Sequence, residues 1–301
     1  MRILQNITSN PMYLYVYATR LGLTNIVPDS IHLRIMYKAI LHKNLHLNPP
    51  KTFNEKLQWL KLHDRNPIYP ILVDKYKVKA WVSERIGEEH VAKTYATWNS
   101  VDDIDINKLP EQFVLKTNHD SGGIAICKNK KQFDLESAKR KLNKHLKKNF
   151  YWIAREWPYK HVEPLIFAEE YLELNDSDDL PDYKLFYFNN GEIIICVYED
   201  RFSNSEMKKT YFDDGWHILN IAEGGHPRNV NLPIPQHFNE MKSFASALAV
   251  GLPTCRIDFY ELPERLVFGE ITLYPKAGFH QFEPNEIDEE WGEKVNLTSL
   301  M

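Results

Sequence analysis

An α+β fold, with two small sheets closing on something held between them, is the class this sequence predicts. Three observations carry that expectation. The first 92 residues show helical periodicity; from about residue 93 short β-rich runs are broken by single helices without regular βαβ alternation; and two late strands carry carboxylates inside otherwise apolar runs. The 301-residue length allows a sizeable core, and 43% hydrophobic with 26% charged residues is ordinary for a globular chain. A net charge of −4 offers no general attraction to nucleic acid or to an anionic membrane. Cys127, Cys196 and Cys255 are far apart with no CxxC pair, which argues against a zinc site or a disulfide framework and suits a reducing cytoplasm. The start lacks a clean signal peptide, because Pro11 and Arg20 interrupt its apolar run, and no window reaches the ~18 apolar residues of a membrane span.

In chain order, KTFNEKLQWLKL reads as a helix with a Thr52–Glu55 capping box and Phe53, Leu57 and Leu60 facing inward. VDKYKVKAWVSERIG reads as a second helix, N-capped by Asp74, striped by Val78, Trp81, Val82 and Ile86, and stopped by Gly87. VAKTYATW, QFVLK and GIAICKN follow as strands. FDLESAKRKLNKHLKK is a helix capped by Asp134, with Leu135, Ala138, Leu142 and Leu146 inward. PLIFAEEYLEL is a strand running into the acidic turn NDSDDLPD; YKLFYF and EIIICVYE form a hairpin across Asn190-Gly191. After a loop with Gly224-Gly225, residues 236–250 form a helix with Phe238, Met241, Ala245 and Leu248 on one side, and RIDFYELPERLVFGEIT closes as a strand pair around Pro263-Glu264.

Four stretches carry chemistry. In FVLKTNHDSGG a strand delivers Lys116 to a turn ending Ser121-Gly122-Gly123, a point charge beside exposed backbone N–H groups that suits phosphate. It is not the GxxxxGK[ST] loop, and a plain surface hairpin would read similarly. Lys75, next to the Asp74 cap, falls in the first helical turn, where the dipole disfavours a cation by ~0.3–1 kcal/mol unless a polyanion sits there. Strand alternation puts Arg256, Asp258 and Tyr260 on one face and Glu270 with Thr272 on one face of the partner. A loop centred on Glu264 then pairs Asp258 with Glu270 and Arg256 with Thr272. Two carboxylates opposed at ~5 Å need a cation between them. That cation is either Mg²⁺ or Arg256, and the two are compatible. FAEEYLEL offers a strand edge, with Glu169 and Glu170, to a nucleobase.

Taken in order, Asp74-Lys75, FVLK with its Ser121-Gly122-Gly123 loop, EEYL at 169–172, and RIDF…GEIT…P..GF at 256–279 resemble the ATP-grasp superfamily. TFNEKLQWLKLHDRNPIY, FVLKTNHDSGG and REWPYK are similar to its teichuronopeptide-synthesis branch, associated with bacterial capsule and cell-surface polysaccharide. The resemblance implies ATP and Mg²⁺ as cofactors and divides the chain in three: a helical region over 1–92, a small lobe with a lid loop over 93–170, and a large lobe with the metal site over 171–301. Lys75 and Lys116 would hold the phosphates, with Lys184 a further contact, and Ser121, Gly122 and Gly123 would form the lid. Glu169 would accept from the adenine amino group while the backbone at Glu170 and Leu172 reads the ring edge. Asp258, Glu270 and Thr272 would bind metal, although many relatives have asparagine where Thr272 stands. Arg256 would stabilise the reacting phosphoryl and acyl oxygens.

The implied chemistry is attack of a carboxylate on the γ-phosphate, then displacement of phosphate by an amine; partners are a small or glycan carboxylate and an amine or amino acid, with peripheral association with polysaccharide assembly machinery. Other classes stay open: a kinase on the same grip, a noncatalytic nucleotide sensor, or a glycosyltransferase using Asp176-Ser177-Asp178 as its DxD. His119 reads as a phosphate contact oriented by Asp120, and His280 as a residue lining the site. Trp152, Trp157 and Tyr159 suit sugar stacking or core packing, and Lys139, Arg140, Lys141, Lys144, Lys147 and Lys148 suit a solvated face or an anionic surface.

Overall fold

Short β-branched and aromatic runs pair into three antiparallel sheets in the computed structural model, which describes residues 11–172, 180–201, 206–298 and 300. The chain opens with helices α1 (Tyr13–Arg20), α2 (Asp29–Leu41), α3 (Phe53–His63), α4 (Tyr69–Val73) and α5 (Lys77–Ile86). The expected capping box starts α3: Thr52 accepts from the Glu55 N–H, and Glu55 accepts from the Thr52 N–H. Helix α5 begins later than expected. Asp74 accepts from the N–H groups of Tyr76 and Lys77 at 3.0 and 3.1 Å, so it caps a turn, and Lys75 lies before the helix instead of within its first turn. The dipole argument for Lys75 therefore lapses; its N–H instead donates to Asn118 O at 2.9 Å, tying it to the loop after Lys116.

Strands β1 (Thr94–Trp98), β2 (Phe113–Thr117), β3 (Ile124–Cys127) and β4 (Ile166–Glu169) form a sheet ordered β1-β4-β2-β3. Its far face is covered by α6 (Leu135–Leu146), capped by Asp134, whose Leu142 joins Phe113, Leu115, Ile166 and Ala168 in a core of its own. Strand alternation turns Val114, Lys116, Phe167 and Glu169 the other way. The expected strand through residue 174 is shorter, because β4 ends at Glu169 and 173–174 lie outside the described residues.

After α7 (Tyr151–Ala154), strands β5 (Asp182–Phe188), β6 (Ile193–Glu199) and β7 (Lys208–Phe212) begin the larger sheet. The short β8 (Ala222–Glu223) and helix α8 (Phe238–Leu248) follow, then β9 (Thr254–Leu262), β10 (Arg265–Thr272), β11 (Phe282–Glu283) and α9 (Ile287–Lys294). The five-stranded order is β10-β9-β5-β6-β7, and β8 pairs with β11. The β5–β6 connection is a three-residue loop, not a two-residue turn: Phe188 donates to Glu192 O and Gly191, at φ +92°, donates back to Phe188 O. Helix α8 packs on one face of the sheet with Phe244 against Phe259. On the other face, Phe186 and Phe188 meet Trp291 at 4.9 and 5.5 Å, and Phe53 meets Phe188 at 5.8 Å. Farther along that face the apolar rings give way to Lys184 and Asp182.

The closing hairpin reaches the expected register by an unexpected route. Its turn is the two residues Pro263 and Glu264, which alone would set Glu270 against Ile257. A bulge at Gly269 adds one residue and restores Glu270 opposite Asp258 and Thr272 opposite Arg256. Glycine eases that bulge, since a Cβ would stand a tight 3.1 Å from Asp258 O.

Candidate nucleotide-binding cleft

The facing walls of the four- and five-stranded sheets enclose a cavity of about 550 Å³. On the small-sheet wall, Lys116 ion-pairs with Glu169, and Lys79 from α5 approaches the other Glu169 oxygen at 2.5 Å. Burial works against the Glu169 charge, but Lys116 and Lys79 outweigh it and hold the carboxyl below its usual range. Both carboxylate oxygens are thus engaged by lysines, Lys116 at one and Lys79 at the other. The Glu170 N–H donates to Lys93 O at 2.9 Å and its carboxylate takes Arg265 at 2.8 Å, so that N–H is not available to a nucleobase edge; Leu172 lines the cavity.

On the large-sheet wall, Arg256 donates to Asp258 at 2.6 and 2.8 Å and to Glu270 at 2.7 Å. The guanidinium therefore bridges the two opposed acids, one of the two cations the sequence allowed. Lys184 ion-pairs with Asp258 and, at 2.7 Å, with Asp182, whose other cation is Arg201. Burial and the neighbouring Asp258 push the Asp182 carboxyl upward. Lys75 reaches across from the small-sheet side: its ammonium donates to Asp120 O at 2.7 Å and stands 3.8 Å from Glu270. Glu270 keeps 35% of its side chain open to the cleft, with protein on its remaining sides. Burial opposes its charge, yet Lys75, Arg256 and Lys184 bring its carboxyl down to about 2.

A hard divalent ion would find a partial donor set on this wall. Asp258 and Glu270 supply carboxylate oxygens and Thr272 a hydroxyl, which donates to Glu270 at 3.3 Å; Asp258 is already shared by Arg256 and Lys184. Among the described residues no cluster of three or more His, Cys, Asp or Glu could hold a metal by itself. These donors would suit Mg²⁺ if a nucleotide's phosphates supplied the remaining oxygens, and Glu270 is the more open of the two carboxylates.

The loop after Lys116 is more firmly held than a hinge-like lid suggests. Thr117 bonds Asp120, Asp120 pairs with His145, and Asn118 donates to Asp74 at 3.0 Å. Only Ser121 and Gly122 are exposed; Gly122 has φ +98°, and a Cβ on Gly123 would overlap Thr117. His119 is buried against Asn118 and Lys148 O, so it is a structural histidine and not a phosphate contact, and Asp120 serves His145 instead. His280 is likewise buried, bonded to Glu223 at 2.8 Å and stacked on Phe282. Trp157 and Tyr159 pack against the main core, and Trp152 against Tyr151 and Arg155. The candidate DxD at Asp176-Ser177-Asp178 lies outside the described residues.

The structure thus brings Lys75, Lys116, Ser121, Gly122, Gly123, Glu169, Leu172, Lys184, Arg256, Asp258 and Glu270 to one cavity. Lys79, Asp182, Arg201, Tyr198 and Lys276 line it too, and the sequence reading did not include them. Spacing alone had one cue, since Lys79 follows Lys75 by four residues in the segment expected to be helical.

The model of the TupA-like ATP-grasp family matches residues 55–296. Similar solved structures include D-alanine–D-alanine ligase from Bacillus anthracis complexed with ATP, at 12% identity and TM-score 0.39 over 75% of this chain and 58% of that one. The ligase of the same name from Helicobacter pylori is similar at 12% identity and TM-score 0.42, covering 81% and 69%. N5-carboxyaminoimidazole ribonucleotide synthetase from Thermus thermophilus is similar at 14% identity and TM-score 0.36, covering 80% and 52%. Among curated proteins none matches the chain. The family match runs through both walls of the cleft and through helix α9, and the chain belongs to the TupA-like ATP-grasp family.

Proposed function

We propose that the chain is an ATP-dependent, ADP-forming carboxylate–amine ligase that amidates a uronic acid or similar carboxylate of a bacterial capsular or cell-surface polysaccharide in the cytoplasm. The observation that carries this reading is the convergence of Lys75, Lys116, Lys184 and Arg256, from four separate segments, on one cavity bordered by Glu270. On this reading residues 93–170 form the small lobe and 171–301 the large lobe, with 1–92 supplying Lys75.

Cations on both walls suit a triphosphate, whose charge would otherwise resist burial. Lys75 and Lys116 hold phosphate oxygens from the small-sheet side, and Lys184 supports them from the large sheet. Magnesium, when bound at Glu270 and Asp258 with Thr272 nearby, would neutralise charge on the transferred phosphoryl group. Arg256, pushed further toward permanent charge by Asp258 and Glu270 despite its burial, faces the developing phosphoryl and acyl oxygens. Ser121 and Gly122, the exposed tip of the otherwise pinned loop after Lys116, are the part left to close over the phosphates and keep water from the activated carboxyl while it awaits the amine.

ATP turnover screened with uronic acids crossed with amino acids, followed by mass spectrometry, tests this. ADP and phosphate should appear only when both acceptor classes are present. Lys116→Ala and Glu270→Gln should each lower turnover about a hundredfold or more while the chain still folds; Glu169 retains Lys79 in the first variant and Arg256 retains Asp258 in the second. Wild-type rates in both would sink the site. A phosphorylated acceptor would indicate a kinase, and nucleotide diphosphate from a sugar donor a glycosyltransferase.

A further inference from the structure

Exposed apolar side chains gather in one stretch near the start of the described chain. Leu14 is 59% exposed, Leu21 61%, Leu23 70% and Ile26 93%, with Tyr17 and Ile31 also exposed. Leu14, Tyr17 and Leu21 recur at i, i+3 and i+7, an outward stripe along α1 and the turn that ends it. The inward side is already spent: Val16 packs with Met36 and Ala39. A helix apolar on both sides calls for a second partner.

Charge selects which partner. From residue 1 to 28 the sequence has two arginines and no Asp or Glu. The basic tract 139–148 runs through 149–150 into α7, and that segment is fastened to the apolar stretch. Arg155 donates to Thr24 O at 2.9 Å and to Val27 O at 3.2 Å, and His32 meets Ile153 O at 3.1 Å. Lys144, Lys147 and Lys148 are exposed at the end of α6 nearest this junction. An apolar patch whose one nearby carboxylate, Asp29, is taken up by Arg155 and Tyr151, and that continues into a basic tract, would set like charges together in a self-dimer, but it complements an anionic lipid surface.

We infer that this face docks on an anionic phospholipid bilayer. Leu14, Leu21, Leu23 and Ile26 enter the boundary between headgroups and acyl chains, Tyr17 sits at the interface, and the lysines meet the phosphates. No helix among the described residues is long and apolar enough to cross a membrane. The inference is independent of the ligase reading.

Flotation of the full chain with phosphatidylcholine vesicles, with and without phosphatidylglycerol, tests it. Binding should be at least about tenfold stronger to the anionic vesicles at low salt and should fall with added salt. Leu21→Asp combined with Ile26→Asp should reduce that binding about tenfold or more without lowering the melting temperature. Lys144→Glu, Lys147→Glu and Lys148→Glu together should do the same and remove the preference for phosphatidylglycerol; this variant decides the matter if the first does not fold. No flotation of the wild type would overturn the proposal, as would wild-type flotation by both variants. So would a dimer, seen by sedimentation, that only the Leu21→Asp, Ile26→Asp variant dissolves.

Discussion

The two walls of the cleft carry similar charges on different foundations. The small sheet has one apolar face, sealed by α6, and its cleft face alternates Val114 with Lys116 and Phe167 with Glu169. Lys116 keeps part of its side chain in the cleft solvent, so its charge costs little to hold. The large sheet is covered on both faces, by α8 on one and by α3 and α9 over part of the other. Its Lys184 and Asp258 are buried, and charges so placed must satisfy one another: Asp258 takes both Arg256 and Lys184, and Lys184 takes both Asp258 and Asp182. The small-sheet wall can therefore lose Lys116 and keep its fold, because buried Glu169 retains Lys79, whereas the large-sheet wall is a lattice in which removing one buried member strands the next.

The sharpest test of that separation is Leu142→Ala, which empties a fully buried position of the small core and should cost about 2–5 kcal/mol there. Hydrogen exchange should show β2 and β4 losing protection while β5 and β9 keep theirs; a uniform loss would mean the two walls unfold as one unit. Lys61→Met probes the larger body next. Buried Lys61 donates to Gln58, Ala154 O and Ala277 O at 2.9, 2.9 and 2.7 Å, and so holds the turn in which Lys276 and Ala277 adopt φ of 50° and 53°. Burial lowers its ammonium pKa to about 7 against the attraction of Glu156. Losing these bonds should cost about 1–3 kcal/mol in urea unfolding, and an unchanged midpoint would show that the turn stands without it. The smallest effect belongs to Asp134→Ala, which removes the cap accepting from Ser137 N–H at 2.8 Å. About 0.5–2 kcal/mol should be lost, confined to the small lobe if the comparison holds.

Legibility in the sequence followed how local each signal was. The capping box at Thr52, the cap at Asp134 and the inward stripe Phe238, Met241, Ala245 and Leu248 all depend on neighbours within a few residues, and all are present. The Asp258–Glu270 pairing agrees with the sequence expectation by two offsetting departures, a turn one residue shorter than a loop centred on Glu264 and a bulge at Gly269 that leaves no mark beyond a lone glycine. The two histidines were misread for the opposite reason. A histidine in a polar stretch looks free, and only the fold brings Lys148 O to His119 or Glu223 to His280. Lys79, Asp182 and Arg201 were missed because a charged residue on a helix, a strand or a loop resembles any solvated one until its partner arrives from elsewhere in the chain.

By itself, then, the chain's order of residues determined which segments are helices and which strands, which faces are apolar, and which lysines and acids stand at strand positions facing one way, since these follow from periods of 3.6 and 2 acting over short spans. Only the tertiary structure decided who neutralises whom. Lys184 paired with Asp258, Glu169 shared by lysines from two elements, and Lys75 reaching from the turn before α5 to Glu270 are contacts across long separations. Electrostatic partnership depends on distance in space, which local periodicity does not encode.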